Sequence, residues 1–488
     1  MKKLIYILTV ISLIIIILLN LLFTSCLDTE EHIEIDGNKF IYIIGILSLA
    51  LLLYFLSTYI NRNKKNFEKH TVFIALGIFI LFNIIWCIIV NPKVTGDSVH
   101  VCNLAQVFYR NDSENLLYNL TYLGIPLSEY MQSYHQQISL AFIFSIFFRI
   151  IHFDMMESLR ILNIISNFLI VLALYKITIK LSKKYEINKL LLFILVFTFI
   201  PLSLLSTFIY GDIPSIALCL FSVYFMIEYK ETKHVKYYII ATFFSMFAYM
   251  MRMNSLIFII ATLIYLLLNL QEKYKQVNFC KNMLYILLII LYIIFSIVPS
   301  VLINNYYLNK YNLDKTKASP TIRYILMAME ESPRANGWYN EEIALPAIIN
   351  PEIAKQEYRQ KVYYRLIYFS HNLDYTFNFY IMKIASMWTE NTYSSIRNNT
   401  ISDTSLIKNT IAILTFYQKA LLILICICSL INLIKNKKKL SLEIIFLITI
   451  FIGGFTFHIL WEAKSRYIIP YILILMPLAS IKFQISKN

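Results

Sequence analysis

Hydrophobic residues in this chain come in long unbroken runs separated by short polar gaps, from the first residues to the last. Runs of about 15–24 apolar residues are long enough to cross roughly 30 Å of hydrocarbon as helices. They lack the two-residue alternation of a membrane barrel, the other structure that satisfies its backbone in lipid. The pattern predicts spans over residues 4–23, 40–60, 71–91, 159–180, 190–209, 214–228, 237–251, 253–270, 283–303, 409–432, 441–459 and 468–483. The expected fold class is therefore an all-α polytopic membrane protein of about 12 transmembrane helices, a multi-pass protein of the cell membrane.

One apolar stretch is left over, QISLAFIFSIFFRIIH at 137–152, short for a span and carrying Arg149 and His152. If it crossed, every later loop would change sides. Without that crossing, one side collects Lys2, Lys3, RNKKNFEK (62–69), KKYEINK (183–189), YKETKHVK (229–236), EKYKQVNFCK (272–281) and KNKKK (435–439). Cytoplasmic loops hold such an excess of Lys and Arg, so the stretch is expected to lie in the outer interface or to re-enter from it. Both termini then face the cytoplasm. The outside holds residues 92–158, the 210–213 turn, the Arg252 turn, the segment 304–408 and residues 460–467.

Four regions follow: an N-terminal hairpin of spans with a basic loop (1–70), a membrane module (71–303) with its outer loop at 92–158, an outer cap (304–408), and C-terminal spans (409–488). Within the cap, FNFYIMKIASMW (377–388) reads as an interfacial helix.

Composition agrees, with 58% hydrophobic and 15% charged residues. The net charge of +15 sits in the short loops of one side, so no nucleic-acid partner is implied. Seven scattered cysteines with no CxxC outline neither a disulfide framework nor a metal knuckle. LLFTSC before Cys26 loosely matches a lipoprotein cleavage box, but Phe23 fits it poorly, and the run reads as an uncleaved first helix.

Single charges stand at the outer lips of these runs. Asp97 in GDSVH is either a helix cap or a carboxylate whose partly apolar boundary suits a general base. SEYMQSYHQQ (128–137) adds Tyr134, His135 and Gln137 nearby. Asp97 and His100 form a weak metal pattern that His135 would complete, and no metal ligand is assigned. Asp212 in YGDIPS either starts a helix ahead of Pro214 or touches substrate. Arg252 interrupts a hydrophobic run, as an exposed turn or as a bidentate phosphate ligand. WEAKSRYIIPY (461–471) places Glu462, Lys464 and Arg466 at the mouth of the last span, as snorkelling anchors or as a site for an anionic headgroup.

Taken in order, Asp97, the 137–152 segment, Arg160 in SLRILN and the GDIPS span start resemble the GT-C superfamily of membrane glycosyltransferases. The nearest in look are the protein O-mannosyltransferase-like enzymes and the aminoarabinose transferase of lipid A. MAMEESPRANGWYNEE (327–342) and HILWEAKSRYIIPY (458–471) look like segments of the Firmicutes branch of this family. The resemblance covers roughly residues 71–480, leaving the first two spans as an extra hairpin. The first outer loop has GDS where better-known members carry an Asp–Glu pair, and it lacks their Lys-Pro-Pro stretch.

The resemblance implies a sugar donor on a polyprenyl phosphate and an envelope acceptor, whether glycopolymer, lipid or protein. It implies an active site on the extracytoplasmic side, among membrane lipids. Asp97 would be the base of an inverting single displacement, with Arg252, Lys464 and Arg466 on the leaving phosphate. Asp212, Tyr134, His135, Gln137, Arg160 and Glu462 would bind substrate, and Trp338 and Tyr339 in GWYN would belong to a flap. No cofactor is implied; a divalent metal is allowed and not demanded. The rival class is a transporter or flippase of lipid-linked sugars, which would show inverted repeats and ionisable residues at mid-membrane.

Overall fold

The computed structural model describes residues 1–63, 69–90, 92, 96–118, 124–151, 155–274, 279–399, 405–437 and 440–482. His152, the lysines at 64 and 65 and the loop 275–278 of the topology argument lie outside the described residues.

The protein is a helical, multi-pass membrane protein. Among the described residues, nine helices are long and apolar enough to cross a membrane. They cover Lys2–Leu22, Phe40–Ile60, Val72–Ile89, Met156–Ser182, Asp212–Thr232, Met253–Gln271, Tyr285–Lys310, Lys408–Lys435 and Leu442–Leu460. Where a span was expected at 190–209 there are two helices, Lys189–Phe197 and Ile200–Thr207, bent by 44° at the break between them. The expected count of twelve is not confirmed. Val235–Met251 and Ser465–Ala479 fall short of a full span, because extended backbone at Arg252 ends the first and extended backbone at Lys464 delays the start of the second.

The break at 198–199 has a plain cause. Pro201 enters the first turn of the next helix and cannot donate to the turn before it. The freed backbone is met by side chains from neighbouring helices. Gln418 donates to the Thr198 carbonyl (2.8 Å), Asn167 to Leu202 (3.0 Å), Asn399 to Leu204 (3.1 Å), and Asn163 to Ser206 and Phe208 (3.0 and 2.9 Å). Irregular backbone at membrane depth survives only with such partners.

The leftover stretch is the helix Gln136–Ile150, too short to count as a span. It packs against Asp97–Arg110, Val235–Met251 and Phe279–Lys310, and Ser139 donates to the Met250 carbonyl at 3.0 Å. Ile138, Leu140, Ala141 and Phe144 are buried by protein, so much of this helix is an internal support rather than a free interfacial face.

The N-terminal pair of helices is not an appendage. Ile5, Leu13, Ile16 and Leu19 share one continuous core with Leu421, Ile425, Leu447 and Phe451 of the C-terminal helices. Between the two N-terminal helices runs an antiparallel hairpin, Phe23–Leu27 with Ile33–Gly37, in register Ser25 opposite Ile35.

The 304–408 segment contributes four further helices, Ile322–Met329, Glu341–Ile349, Pro351–His371 and Leu373–Trp388. The last of these was expected at the interface, but its C-terminal turns are driven into the core. Lys383 there is fully buried, and its Nζ donates to the carbonyls of Ala328 (2.9 Å), Ile459 (2.8 Å) and Trp461 (3.0 Å). One ammonium thus closes the ends of two helices, Ile322–Met329 and Leu442–Leu460, whose last carbonyls lack helical donors. Lys383→Met keeps the bulk and strands those acceptors. It should cost about 3 kcal/mol or more, and lower the unfolding midpoint in detergent by several degrees relative to the parent.

Candidate functional site

The topology sets one end of the bundle apart. Asp97 and Asp212 open helices, Arg252 follows the end of one, and Glu462, Lys464 and Arg466 follow Leu442–Leu460. The opposite ends of these elements carry a separate set of pairs. Glu443 meets Lys184 (2.7 Å) and Lys230 (2.6 Å), and Lys180 meets Glu228 (2.6 Å) and Glu231 (2.9 Å).

Asp97 is the first residue of Asp97–Arg110 and is half-buried. The cap position belongs to Gly96, whose φ of 59° suits glycine, so Asp97 is not the cap. Its carboxylate lies in the first turn, where the helix dipole favours negative charge. Oδ1 accepts from the Tyr130 hydroxyl at 3.2 Å. Tyr130 in turn contacts the rings of His100 and Tyr134, both at 4.6 Å. Burial holds the His100 imidazole below its ordinary value, against the pull of Asp97. Among the described residues, no group of three or more His, Cys, Asp or Glu is placed to hold a metal ion.

The second cluster centres on Asp212. Arg252 Nη2 lies 3.5 Å and Arg466 Nε 3.8 Å from the same oxygen, Oδ1. The Arg252 guanidinium stacks on Tyr210 (4.7 Å) and Arg466 on Phe208 (4.5 Å). Burial opposes the charge on Arg252, but Asp212, Tyr210 and Tyr467 more than offset it and raise its pKa. Gln137 donates to the Tyr210 hydroxyl, which ties the Gln136–Ile150 helix into the cluster.

Gly211 explains why the YGD turn fits here. A Cβ at this position would lie 2.3 Å from the Met251 carbonyl oxygen, so only glycine lets the turn seat against the helix end that leads to Arg252.

The third cluster surrounds Glu462, which is 8% exposed. Burial pushes its carboxyl above the usual carboxylate range; Lys464 and Arg323 pull it back, and Asp97 adds to the rise. Arg323, from the helix Ile322–Met329, is buried and stacks between Tyr134 (4.7 Å) and Tyr324 (4.5 Å). Its charge counters the rise that burial and Asp97 impose on the Tyr134 phenol. Lys464 pairs with Glu31 at 2.9 Å, a residue of the N-terminal hairpin, and Arg334 and Arg397 pair with the same carboxylate.

Residues 136–300 match the family model described as dolichyl-phosphate-mannose-protein mannosyltransferase. The GT-C resemblance is thereby borne out. The matched stretch begins at the helix after Tyr134 and includes Arg160, Asp212 and Arg252. Among solved structures, the chain is similar to the archaeal oligosaccharyltransferase AglB from Archaeoglobus fulgidus, in complex with an inhibitory peptide and a dolichol-phosphate. The identity is 13% and the TM-score 0.43, over 84% of this chain and 50% of that one. At that score the likeness carries no argument about site or substrate, and this chain spans about half the length of its match. No curated protein matches.

Set against this GT-C frame, the expected residues divide. The Asp97 charge bears on Tyr134, Glu462 and Tyr339, raising each, and Asp212, Arg252, Arg466, Tyr210 and Gln137 form one contact network. Arg160 does not join them in its Nη2 bond, which goes to the Pro92 carbonyl (3.0 Å) and tethers the chain that leads to Asp97. His135 precedes the Gln136–Ile150 helix with its Nε2 buried, and burial and Lys315 hold its imidazole low. The expected flap is anchored in this conformation. Trp338 is 1% exposed and donates to Ser386 Oγ (2.8 Å), and the Gly337 carbonyl accepts from Ala463 (2.8 Å).

Four residues of the charged end escaped the sequence reading: Glu31, Arg323, Arg334 and Arg397. The signal existed in part. Arg334 stands in PRANGWYN, a stretch already singled out, and the loop after the first span falls on the Asp97 side of the charge-based topology.

Gly211→Ala tests the central geometry. The added methyl should push the turn off Met251 and part Asp212 from Arg252, costing about 1–3 kcal/mol. Thermal unfolding reads the cost, and unchanged stability would show that the turn has room to shift.

Proposed function

We propose that this chain transfers a sugar from a polyprenyl-phosphate-linked donor to an envelope acceptor at the outer face of the membrane. One observation carries the reading. A half-buried carboxylate, Asp97, the buried Arg323 and the partly exposed cations Arg252, Lys464 and Arg466 gather at one end of a helical bundle whose 136–300 stretch matches a lipid-phosphate-sugar transferase family. The family match supports the lipid-linked donor in general; sugar, acceptor and roles are our assignment.

In this reading Asp97 takes the proton of an acceptor hydroxyl as its oxygen attacks the anomeric carbon. The bond from that carbon to the phosphate oxygen breaks, and the phosphate leaves with the electron pair. A single displacement of this kind inverts the anomeric centre and requires no enzyme nucleophile. Negative charge grows on the lipid phosphate, and Arg466, Arg252 and Lys464 are preorganised cations for it. Tyr130 orients Asp97 through its 3.2 Å hydrogen bond. Glu462 and Asp212 keep those cations in place and are suited to sugar hydroxyls. The acceptor is a glycopolymer, a lipid or a protein.

The transporter alternative asks for ionisable groups near mid-span. What favours transfer is that the carboxylates shared between cations, Asp212 and Glu31 at one end and Glu443 at the other, lie at the ends of the bundle.

Two variants test the roles, with purified protein in lipid, radiolabelled polyprenyl-phosphate sugars and an envelope extract. Asp97→Asn should cut transfer by about 10²–10⁴-fold while leaving the fold intact. Arg466→Ala should cut turnover of the lipid donor by about 10²-fold or more. Transfer retained by Asp97→Asn would remove it as the base. If no donor is consumed and labelled lipid changes leaflet, the transporter reading replaces this one.

A further inference from the structure

The N-terminal hairpin brings a carboxylate into the charged end that the transfer scheme leaves unused. Glu31, at the tip of the turn between the strands Phe23–Leu27 and Ile33–Gly37, is 3% exposed. It pairs with Arg334 through Oε2, with Arg397 through Oε1, and with Lys464 through Oε1 at 2.9 Å. The three cations come from distant parts of the chain and meet on one anion.

The turn is built to present that anion. Asp28 Oδ1 accepts from the backbone N–H of both Glu30 and His32, each at 2.8 Å. Glu31 itself has φ of 70°, a left-handed conformation that costs a non-glycine residue about 1–2 kcal/mol. The hairpin is also docked through its backbone. Ile33 N–H donates to the Arg334 carbonyl (2.8 Å), Arg397 Nε to the Thr29 carbonyl (3.2 Å), and Ser25 N–H to the Thr389 carbonyl (3.2 Å).

A structural ion pair needs one cation for one carboxylate. Here three cations share one, and the surplus positive charge borders Glu462 and Arg466. Burial and Arg466 hold Arg397 down to about 10. Burial, followed by Arg466, also draws the Lys464 ammonium well below its ordinary value, and Glu462 opposes them. Like charges this close repel unless an anion lies among them.

We infer that Glu31 is a positioning residue of the anion-binding end: it holds Lys464, Arg334 and Arg397 together to receive the phosphate of a lipid-linked substrate. The N-terminal hairpin is then part of the site rather than an addition to it. This inference rests on the lipid-phosphate donor reading above.

The test is binding of undecaprenyl phosphate to the full chain in nanodiscs, from about pH 6 to about pH 9.5, below the usual lysine value of about 10.4 because Lys464 is drawn down. The parent, Glu31→Gln and Glu31→Asp are compared. The groups facing Lys464 are Glu31, Glu462, Arg334, Arg397 and Arg466. Loss of the Glu31 charge lowers the lysine further, so the charged form that binds phosphate disappears at a lower pH. Glu31→Gln should bind about 10-fold more weakly and lose binding at a lower pH than the parent. Glu31→Asp, with the charge kept one methylene short, should fall between the two. A folded variant with the parent's affinity and pH profile overturns the inference. If Glu31→Gln does not fold, Glu31→Asp decides: an intermediate affinity supports the inference, and a parental one overturns it. A parent that fails to bind the lipid phosphate overturns the donor reading and this inference with it. A parent that binds beside unchanged variants overturns the inference alone.

Discussion

The functional end depends on buried carboxylates shared between cations. Asp212 and its partners Arg252 and Arg466 have side chains only 14%, 15% and 11% exposed. Glu31 is buried deeper and serves three cations. In such surroundings a lone charge is too costly to keep, and removing one member of a buried pair commonly costs about 3–5 kcal/mol. The placement of the neighbouring elements follows. The YGD turn seats on Met251 through Gly211, the Val235–Met251 helix stops at Arg252, and the backbone at Lys464 is extended before Arg466 turns inward.

The same accounting governs the backbone. A continuous helix satisfies itself in lipid, but the break between Phe197 and Ile200 does not. Asn163, Asn167, Asn399 and Gln418, four amides from two helices and a 3-10 turn, supply the missing donors. The break ends in the Phe208–Gly211 turn, so the amides that repair the backbone also fix the height at which Tyr210 and Asp212 present themselves. Packing within the bundle and chemistry at its end are coupled through this one break.

Most of the helices were legible because their signal is local. A run such as Lys2–Leu22 or Leu442–Leu460 needs only its own apolar residues to be recognised. The count was less legible, because Val235–Met251 and Ser465–Ala479 lie near the threshold of length and neighbouring charges trim them. At the site, Asp212, Arg252 and Arg466 were readable as polar interruptions of apolar runs, though nothing in the spacing said that two arginines would meet on one oxygen. Glu31 was hidden for another reason. It stands in DTEEHIE, an ordinary acidic loop, and its importance comes from partners more than three hundred residues away. Lys383 was hidden in the same way, within a stretch whose apolar pattern suggested an interfacial helix.

The division of labour between Asp97 and Glu462 is the last step the geometry supports. Both are carboxylates at the same end, and Asp97 adds to the rise of the Glu462 carboxyl. Glu462 is enclosed among Lys464, Arg323 and Arg466, and burial raises its carboxyl. A group so confined is placed to hold those cations. Asp97 is half-buried, stands in the positive first turn of a helix, and is held by one phenol at 3.2 Å. That environment leaves an oxygen reachable. On that ground the proton belongs to Asp97 in the proposed reaction, and Glu462 to the framework of the charges that receive the phosphate.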